Sequence, residues 1–364
     1  MRAAVGRAFG QPLQVEWVQL APPGPDDVQV DLDACAICHS DISYMDGAWG
    51  GDLPAVWGHE AAGVVSAVGA DVTRANVGDR VVVSLIRSCG TCTQCQRGNE
   101  VGCTTEFALD VDSPLRDGTG APIDHGLRTA GFAGATTVHQ SQVVPIPAQM
   151  GADVASLLAC GVITGVGAVT NTAAVRAGSS VAVVGTGGVG LNTVQGARLA
   201  GADPIIALDI DEAKLAAARD FGATDTVNVD TDDVEAVIAQ LTDGDMVEYV
   251  FVTTGAKSAL EDAGNLVGPG GALVLVGMPP SDVSVELDPG SLAAANQRIL
   301  GSKMGSCRLD RDVPRLIKLY QNGDLELDAL ITNRYPLDRI NEAIDEVRAG
   351  TARRNIIEFN GNDR

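Results

Sequence analysis

Lysine, histidine and aromatic residues are scarce in this sequence. Aromatic residues make up 4% of the 364 residues, and lysine and histidine each occur four times, against 21 arginines. The net charge of −22 disfavours binding to nucleic acid or to anionic membranes. No apolar run approaches the ~20 residues of a membrane span, and residues 1–7 lack the apolar core of a signal peptide. We therefore expect a soluble cytoplasmic protein, whose acidity reflects either genome composition or a salty environment.

Two domains are expected from the length, and the 45% of apolar residues is enough to form their cores. Before about residue 160, short apolar runs broken by Gly, Pro and Asp predict an all-β body, with 104–128 as a long surface loop. After residue 179, the pattern alternates between strands and helices, which predicts a parallel sheet covered on both faces. The predicted strands are 180–184, 205–208, 226–229, 247–252 and 272–276, and the predicted helices are 188–200, 212–221, 234–241, 258–266, 313–321 and 337–349.

Four closely spaced cysteines are the clearest metal signal in the chain. Cys89, Cys92, Cys95 and Cys103 follow the pattern Cys-x2-Cys-x2-Cys-x7-Cys. Four thiolates at this spacing are typical of a closed tetrahedral zinc site, which leaves no position for a substrate. A pair of disulfides is the alternative, although cysteine clusters in cytosolic proteins usually bind metal. The cluster therefore predicts a structural zinc lobe, and the chemistry is expected elsewhere.

A glycine-rich hexapeptide, G-x-G-x-x-G at 185–190, lies between a predicted strand and a predicted helix. Gly185 suits the tight turn, Gly187 lets a pyrophosphate approach the backbone, and Gly190 lets the helix pack against the strand. Asp209 ends the next strand, where a carboxylate binds the adenosine ribose hydroxyls and repels a 2′-phosphate. The pattern predicts NAD in preference to NADP. The alternative for Asp209 is a helix N-cap.

A second group of metal-binding residue types is spread over the first 160 residues. Cys38, His59 and Cys160 together provide the Cys2His set that leaves zinc one open position for a substrate. Each residue alone is more often structural, because single histidines and cysteines commonly lie in cores. The inference depends on their occurrence together with the four-cysteine cluster and the nucleotide motif.

With these motifs, the chain resembles the medium-chain zinc-dependent alcohol dehydrogenases, in the class III-like or aryl-alcohol-like branch. The resemblance extends over essentially the whole chain. It implies an α/β plus β fold, in which a GroES-like catalytic domain, 1–161 with 305–364, contains an inserted Rossmann NAD-binding domain, 162–304. The structural zinc lobe would span about 86–104. Two zinc ions per subunit are implied, a catalytic one at Cys38, His59 and Cys160 and a structural one at the four-cysteine cluster.

The resemblance also implies roles for single residues around the catalytic zinc and the cofactor. Ser40 would hydrogen-bond the substrate oxygen, Asp41 would lie behind the zinc-bound His59, and Glu60 would assist ligand exchange. The residues implied at the cofactor are His39 and Arg354 at the pyrophosphate, Thr164, Val189 and Val276 at the nicotinamide, Lys214 at the adenosine ribose, and the motif residues Gly185, Gly187, Gly188, Val189 and Gly190 with Asp209. Ser43 stands where many members carry the histidine of a proton relay, so this relay is predicted to be shortened or to run through water.

The implied substrate pocket is apolar, which favours a primary alcohol, bulky or aromatic, that NAD oxidises to the aldehyde. Its residues are Trp49, Leu85 and Phe132, with Trp57 and Met278 as further candidates. The alternative substrate is a thiol adduct of formaldehyde. Phe107 stands where that branch has an arginine for the substrate carboxylate, which disfavours it, but Arg116 and Arg128 in the same loop could compensate.

The resemblance also makes predictions about oligomeric assembly and offers the alternative that the protein is not an enzyme. Family members pair their Rossmann domains edge to edge, so we expect a homodimer, with a tetramer as the alternative. The predicted edge strand is 272–276. Some relatives have lost zinc and become quinone reductases or binding proteins, and loss of Cys38, His59 or Cys160 would indicate that route. All three residues are present.

Overall fold

The chain forms two compact units in a computed structural model that describes residues 1–364. Unit 1 comprises 1–161, 308–323 and 327–364, and unit 2 comprises 162–307 and 324–326. The exact limits of the GroES-like and Rossmann domains, 1–161 with 305–364 and 162–304, stay a prediction.

The structure contains 19 strands, 12 α-helices and several shorter helical turns. The strands are β1 Arg2–Gly6, β2 Gln14–Trp17, β3 Gln19–Leu20, β4 Asp27–Ala36, β5 Ala55–Val56, β6 Glu60–Val68, β7 Arg80–Ser84, β8 Leu115–Arg116, β9 Pro122–His125, β10 Ala135–His139, β11 Val143–Pro145, β12 Val181–Val184, β13 Ile205–Asp209, β14 Asp225–Asn228, β15 Val247–Val252, β16 Val267–Leu275, β17 Arg298–Gly301, β18 Ile331–Pro336 and β19 Arg354–Glu358. The α-helices are α1 His39–Met45, α2 Thr93–Gln96, α3 Ala108–Val111, α4 Ala152–Ser156, α5 Gly161–Gly167, α6 Gly188–Ala200, α7 Glu212–Asp220, α8 Val234–Leu241, α9 Lys257–Asp262, α10 Pro289–Ala294, α11 Leu309–Gln321 and α12 Ile340–Arg348. A π-helix spans Ala168–Ala173, and 3₁₀ turns span Glu100–Gly102, Gly126–Arg128, Gln140–Gln142, Leu157–Ala159, Ala263–Leu266, Lys303–Ser306, Asp328–Leu330 and Leu337–Arg339.

No single helix is long and apolar enough to cross a membrane, and one bent pair of consecutive helices, Ala152–Ala159 with Gly161–Ala173, meets that requirement only when the two are taken together.

Unit 1 is built on two mixed sheets with a common apolar core. The larger sheet has the order β11-β7-β6-β4-β19-β18, and β10 also pairs with β4. The smaller sheet has the order β2-β1-β5-β9-β8-β3. Strand β4 is central because β6 pairs along one edge, while β10 and β19 share the other. Cys38 and α1 directly follow β4, so this central strand anchors the first candidate metal ligand.

Unit 2 is a single parallel sheet with the order β14-β13-β12-β15-β16-β17. In strand numbers counted within the unit this is 3-2-1-4-5-6, the order of a dinucleotide-binding Rossmann sheet. The four residues of β12 are all buried, as expected for a β-branched central strand covered on both faces. Helices α6 and α8 and strand β15 have the limits predicted from the sequence pattern.

Two sequence predictions about this architecture are wrong. Segment 104–128 is not a structureless loop, because it contains α3, β8 and β9, and Leu115 and Ile123 are buried in the core. The edge of the parallel sheet is β17 and not the strand at 272–276, since β16 pairs with β15 on one side and with β17 on the other.

Candidate active site and metal centres

The structure brings Cys38, His59, Glu60 and Cys160 together in unit 1. One ligand atom of each residue lies within 4.8 Å of those of the others, and all four residues are buried. Cys38 follows β4, His59 precedes β6, and Cys160 lies just before α5. The Nε2 atom of His59 is buried without a hydrogen-bond partner, which costs free energy unless a ligand satisfies it. Two thiols and this free imidazole nitrogen fit a zinc ion.

Asp41 holds the back of this cluster in place. The Oδ1 atom of Asp41 accepts hydrogen bonds from the backbone N–H of Gly58 and from Nδ1 of His59, both at 2.9 Å. Its Oδ2 atom accepts from the backbone N–H of Cys38 at 3.0 Å. A proton on Nδ1 leaves Nε2 as the free nitrogen, so the carboxylate sets the tautomer that binds a metal.

The pKa values of the residues in the cluster favour a thiolate at Cys38. A hydrogen bond from Cys160, assisted by His59, lowers the pKa of Cys38 well below the usual value of a thiol. The same bond, together with burial, raises the pKa of Cys160. Burial lowers the pKa of His59, but the charge of Asp41 and its hydrogen bond outweigh burial, and the pKa rises well above its ordinary value. A divalent cation would displace the proton that these groups hold.

Glu60 and Arg354 lie beside the cluster. Burial raises the pKa of Glu60 to about 8, although the charge of Arg354 acts in the opposite direction. The Nη1 atom of Arg354 is 3.6 Å from Oε1 of Glu60, and both carboxylate oxygens lack hydrogen-bond partners. Glu60 is therefore close enough to exchange with another ligand.

The four-cysteine cluster also assembles, at α2 and the turn after it. The four sulfur atoms of Cys89, Cys92, Cys95 and Cys103 lie within 4.8 Å of one another. The closest contacts are 3.9 and 4.0 Å, about twice a disulfide bond, and all four thiols are free. Hydrogen bonds from Thr105 and Thr91 lower the pKa of Cys89 to about 5. The pKa of Cys92 is lowered to about 7, mainly by a hydrogen bond from the backbone N–H of Cys95. Burial raises the pKa of Cys95 to about 12, so a metal would have to displace this proton.

The nucleotide motif has the geometry that a bound pyrophosphate requires. Gly185 has a φ of +87°, and a Cβ on Gly190 would lie 1.9 Å from the Gly185 carbonyl oxygen. A Cβ on Gly187 would meet nothing within 4 Å, so the space above the N-terminus of α6 is open. Open space beside the positive end of a 13-residue helix suits a phosphate group.

Asp209 is held by the motif itself. Its Oδ2 atom accepts from the backbone N–H of Thr186 at 2.7 Å and from the Thr186 hydroxyl at 3.0 Å. The N-cap of α7 is Asp211, so the N-cap alternative for Asp209 is wrong. Sequence reasoning missed Thr186, although its place in G-x-G, after β12, puts it opposite the end of β13.

The other predicted cofactor residues divide between the units. Thr164, Gly188, Val189, Lys214 and Val276 belong to unit 2, and Thr164 and Val276 are buried. His39 and Arg354 belong to unit 1, where His39 is exposed at the start of α1 and Arg354 is 5% exposed. Ser40 is half-buried on α1, and the Ser43 hydroxyl donates to the carbonyl of His39 at 3.1 Å.

The structure places the predicted substrate-pocket residues at different depths, and their role stays a prediction. Trp49 is half-buried and packs edge-on against Tyr44 with ring centroids 5.2 Å apart, and Leu85 is half-buried after β7. Phe132 is 0% exposed and lies in the core of unit 1. The physical reason is its contact with Gly58, where a Cβ would lie 2.6 Å from the ring. Trp57 is also in the core, at 3% exposure.

Three arginines near the four-cysteine lobe contact neighbouring groups. The guanidinium of Arg87 lies 5.2 Å from the ring centroid of Phe107. Arg116 forms an ion pair with Asp112, and Arg128 forms one with Asp110.

Comparison with known proteins defines the class of the chain. Two family models match, "Alcohol dehydrogenase GroES-like domain" over residues 24–148 and "Zinc-binding dehydrogenase" over residues 188–322. The chain is 34% identical to an NDMA-dependent alcohol dehydrogenase of Amycolatopsis methanolica, with 98% of each chain covered. It is 35% identical to alcohol dehydrogenase class-P of Arabidopsis thaliana, with 98% of this chain and 96% of the relative covered.

A solved structure gives the same result. The benzyl alcohol dehydrogenase of Acinetobacter calcoaceticus has a TM-score of 0.92 and 32% identity to this chain, with 99% of each chain covered. The fold and these matches define a zinc-binding oxidoreductase. The chain belongs to the medium-chain zinc-dependent alcohol dehydrogenase family, which confirms the resemblance and the predicted fold class.

Proposed function

We propose that this protein is an NAD-dependent zinc alcohol dehydrogenase that oxidises a primary alcohol, bulky or aromatic, reversibly to its aldehyde. The observation that carries the proposal is the buried Cys38, His59 and Cys160 cluster, with His59 Nε2 free and His59 Nδ1 bonded to Asp41. The benzyl alcohol dehydrogenase relative supports an aromatic substrate.

Each residue of the candidate site would have a separate role in this reaction. Cys38, His59 and Cys160 would hold a zinc ion, which as a Lewis acid would lower the pKa of the substrate hydroxyl. Ser40 would take the hydroxyl proton, and Asp41 would keep His59 in the metal-binding tautomer. The four-cysteine cluster would hold a second, structural zinc ion.

The proposal also specifies NAD, in preference to NADP, as the hydride acceptor. Asp209 is held by Thr186 at the place where the adenosine ribose of a nucleotide on this motif would lie, and its charge opposes a 2′-phosphate. Asp209→Asn should weaken NAD binding and lessen discrimination against NADP. Titration of both nucleotides against both proteins measures this. Equal affinity of the wild type for NAD and NADP would overturn it.

A panel of aliphatic and aromatic alcohols tests the activity. We expect NADH formation that is fastest with bulky or aromatic primary alcohols, and two zinc ions per subunit by metal analysis. The assay should be repeated with NDMA, because the Amycolatopsis relative depends on it. Cys38→Ser and His59→Ala should abolish turnover and leave NAD binding intact. Near-normal turnover in either variant would refute the mechanism.

A thiol adduct of formaldehyde remains the second candidate, but the structure offers it little support. Phe107 packs under Arg87, and Arg116 and Arg128 form ion pairs with Asp112 and Asp110, which compete with a substrate carboxylate for these cations. NADH formation from formaldehyde only when glutathione is present would favour this candidate.

We also propose a homodimer in the cytoplasm, formed through β17, the exposed edge of the parallel sheet. The reduced state of all eight cysteines is consistent with that compartment. A tetramer is the alternative that a mass measurement would reveal.

A further inference from the structure

The side-chain amide of Gln142 is fully buried, and its oxygen and its nitrogen each form two hydrogen bonds. Its Oε1 atom accepts from Nε of Arg87 at 2.8 Å and from the backbone N–H of His139 at 3.3 Å. Its Nε2 atom donates to the carbonyl oxygens of Ser84 and Arg128, both at 2.9 Å. A buried amide with four satisfied bonds fixes the position of every group it contacts.

One branch of this network leads to His59. Gln142 holds the carbonyl of Arg128 within a segment in which Leu127, Arg128 and Ala130 have φ values of 53°, 61° and 46°. Left-handed backbone at residues other than glycine is strained, and it persists only where surrounding contacts impose it.

This strained segment supports the backbone next to the metal ligand. It presents the Thr129 hydroxyl, which donates to the Gly58 carbonyl at 2.8 Å. The backbone N–H of Gly131 donates to the same oxygen at 2.8 Å. Gly58 directly precedes His59, so its carbonyl is held from this side while Asp41 holds its N–H from the other.

A second branch leads to Cys160. Gln142 donates to the carbonyl of Ser84 at the end of β7. The hydroxyl of Ser84 donates to the carbonyl of Ala159 at 2.7 Å, and Ala159 directly precedes Cys160. Ser84 is completely buried, so this bond has no competition from water.

A third branch leads to the four-cysteine lobe. Arg87 lies two residues before Cys89, and its side chain is 0% exposed. Its guanidinium is fixed by Gln142, by Asp110 at 3.0 Å and by the ring of Phe107. The position of Arg87 is therefore tied to the backbone from which the lobe begins.

We propose that Gln142 is a positioning residue that couples the four-cysteine lobe to the Cys38, His59 and Cys160 cluster. A metal bound by the lobe would restrict the backbone that begins two residues after Arg87. Through its bonds to Arg87, Ser84 and Arg128, Gln142 would then restrict the residues before His59 and Cys160. This inference rests on the proposed function, because it assumes that both clusters bind zinc.

A double-mutant cycle on the zinc-loaded protein tests the coupling, with zinc release to a coloured chelator as the readout. Gln142→Met removes all four bonds, and Cys92→Ser empties the lobe. Each change alone should speed zinc release from the buried cluster about 10-fold, in the range of changes to groups that orient metal ligands. The double variant should release zinc no faster than the faster single variant, because both changes break the same connection. Cys38→Ser identifies the release phase that belongs to the lobe.

Gln195→Met is the matched control. Gln195 is also a completely buried glutamine, but it belongs to unit 2 and bonds to Asn192 and Glu326. Its loss should leave zinc release unchanged. If Gln142→Met does not fold, Gln142→Glu carries the test, since it keeps the acceptor for Arg87 and loses both donors.

Two results would overturn the coupling while leaving the proposed function intact. They are a wild-type rate of zinc release in the Gln142 variants, and single effects that multiply in the double variant. A wild-type protein with no zinc in the buried cluster would overturn both proposals.

Discussion

At the scale of single residues, the candidate site depends on one buried carboxylate. Asp41 is 0% exposed and accepts three hydrogen bonds, from Cys38, Gly58 and His59. A buried charge is tolerated only when donors surround it, and here the donors belong to two candidate metal ligands and to a neighbour of one of them. The same three bonds therefore satisfy the charge and set the spacing of the ligands.

Asp41→Asn should weaken zinc binding at the buried cluster by about 10- to 100-fold. An asparagine that donates to His59 Nδ1 would move the imidazole proton to Nε2, the atom that must face the metal. Competition with a chelator measures the affinity. Asp363→Asn is the control, because Asp363 is equally buried but pairs with Arg2. Equal zinc affinity in Asp41→Asn and the wild type would contradict the role given to Asp41.

His125 makes a prediction about acid stability. Burial, with a smaller contribution from the charge of Arg87, lowers the pKa of His125 to about 3. Between this value and the ~6.5 of an unfolded chain, the unfolded state binds a proton that the folded state does not. Because of His125, the free energy of unfolding therefore decreases as the pH falls through this range, by up to about 1.4 kcal/mol per pH unit.

His125→Asn should make the free energy of unfolding less dependent on pH in the same range. Urea unfolding at about pH 5 and pH 7 measures this. All three tryptophans, Trp17, Trp49 and Trp57, lie in unit 1, so their fluorescence reports on the unit that contains His125. The other titrating groups are common to both proteins and cancel in the comparison. Identical slopes in the two proteins would contradict the assignment.

At the scale of elements, segment 104–128 contributes to the fold through two short strands. β8 and β9 pair with each other, and β9 also pairs with β5, so the segment forms part of the smaller sheet of unit 1. Ile123 and Leu115, which lie opposite each other, are 0% and 1% exposed. The segment is therefore a structural part of unit 1.

Ile123→Ala should lower the free energy of unfolding of unit 1 by about 2 to 5 kcal/mol, because it leaves a cavity in the core. Val111→Ala, in the same segment but 72% exposed, should change it by no more than about 0.5 kcal/mol. Urea unfolding followed by tryptophan fluorescence measures both. A loss in Ile123→Ala as small as that in Val111→Ala would indicate that the segment is a loop after all.

The sequence predicts the parallel sheet better than the β body, for a physical reason. Strand β12 is a continuous buried apolar run, β15 is apolar and buried except at Glu248, and α6 begins at a glycine motif. β9 alternates between exposed and buried residues, but only Ile123 among its buried ones is aliphatic, and β17 is mostly exposed, so neither strand gives a clear apolar pattern in the sequence. The spacing of Cys89, Cys92, Cys95 and Cys103 predicts their cluster. The contacts of Gln142 have no sequence signal, whereas the contact of Thr186 with Asp209 could have been inferred from its place in the glycine motif.

At the scale of the whole molecule, we expect the net charge and the edge strand β17 to govern the proposed association. Each chain carries a net charge of −22, so two copies repel, and salt should favour the proposed dimer by screening this repulsion. On β17, Ile299 is 38% exposed and offers apolar surface beside unpaired backbone groups.

Ile299→Lys should convert the dimer to a monomer, because it places a hydrated charge on each of two facing edges. Light scattering coupled to gel filtration measures the mass. Trp17→Lys is the control, since Trp17 is 65% exposed on β2, an edge of the smaller sheet in unit 1. It should not change the mass. A dimer that survives Ile299→Lys at low salt would place the contact elsewhere.

The position of β19 between β4 and β18 has a consequence for biosynthesis. A nascent polypeptide leaving the ribosome presents Cys38, His59 and Cys160 early, but Arg354, which faces Glu60, emerges some 190 residues after Cys160. Unit 2 is almost continuous in sequence and can fold while the larger sheet of unit 1 still lacks β19. Until translation reaches β19, one margin of β4 stays open beside the metal ligands, and zinc delivered during synthesis would meet an unfinished pocket.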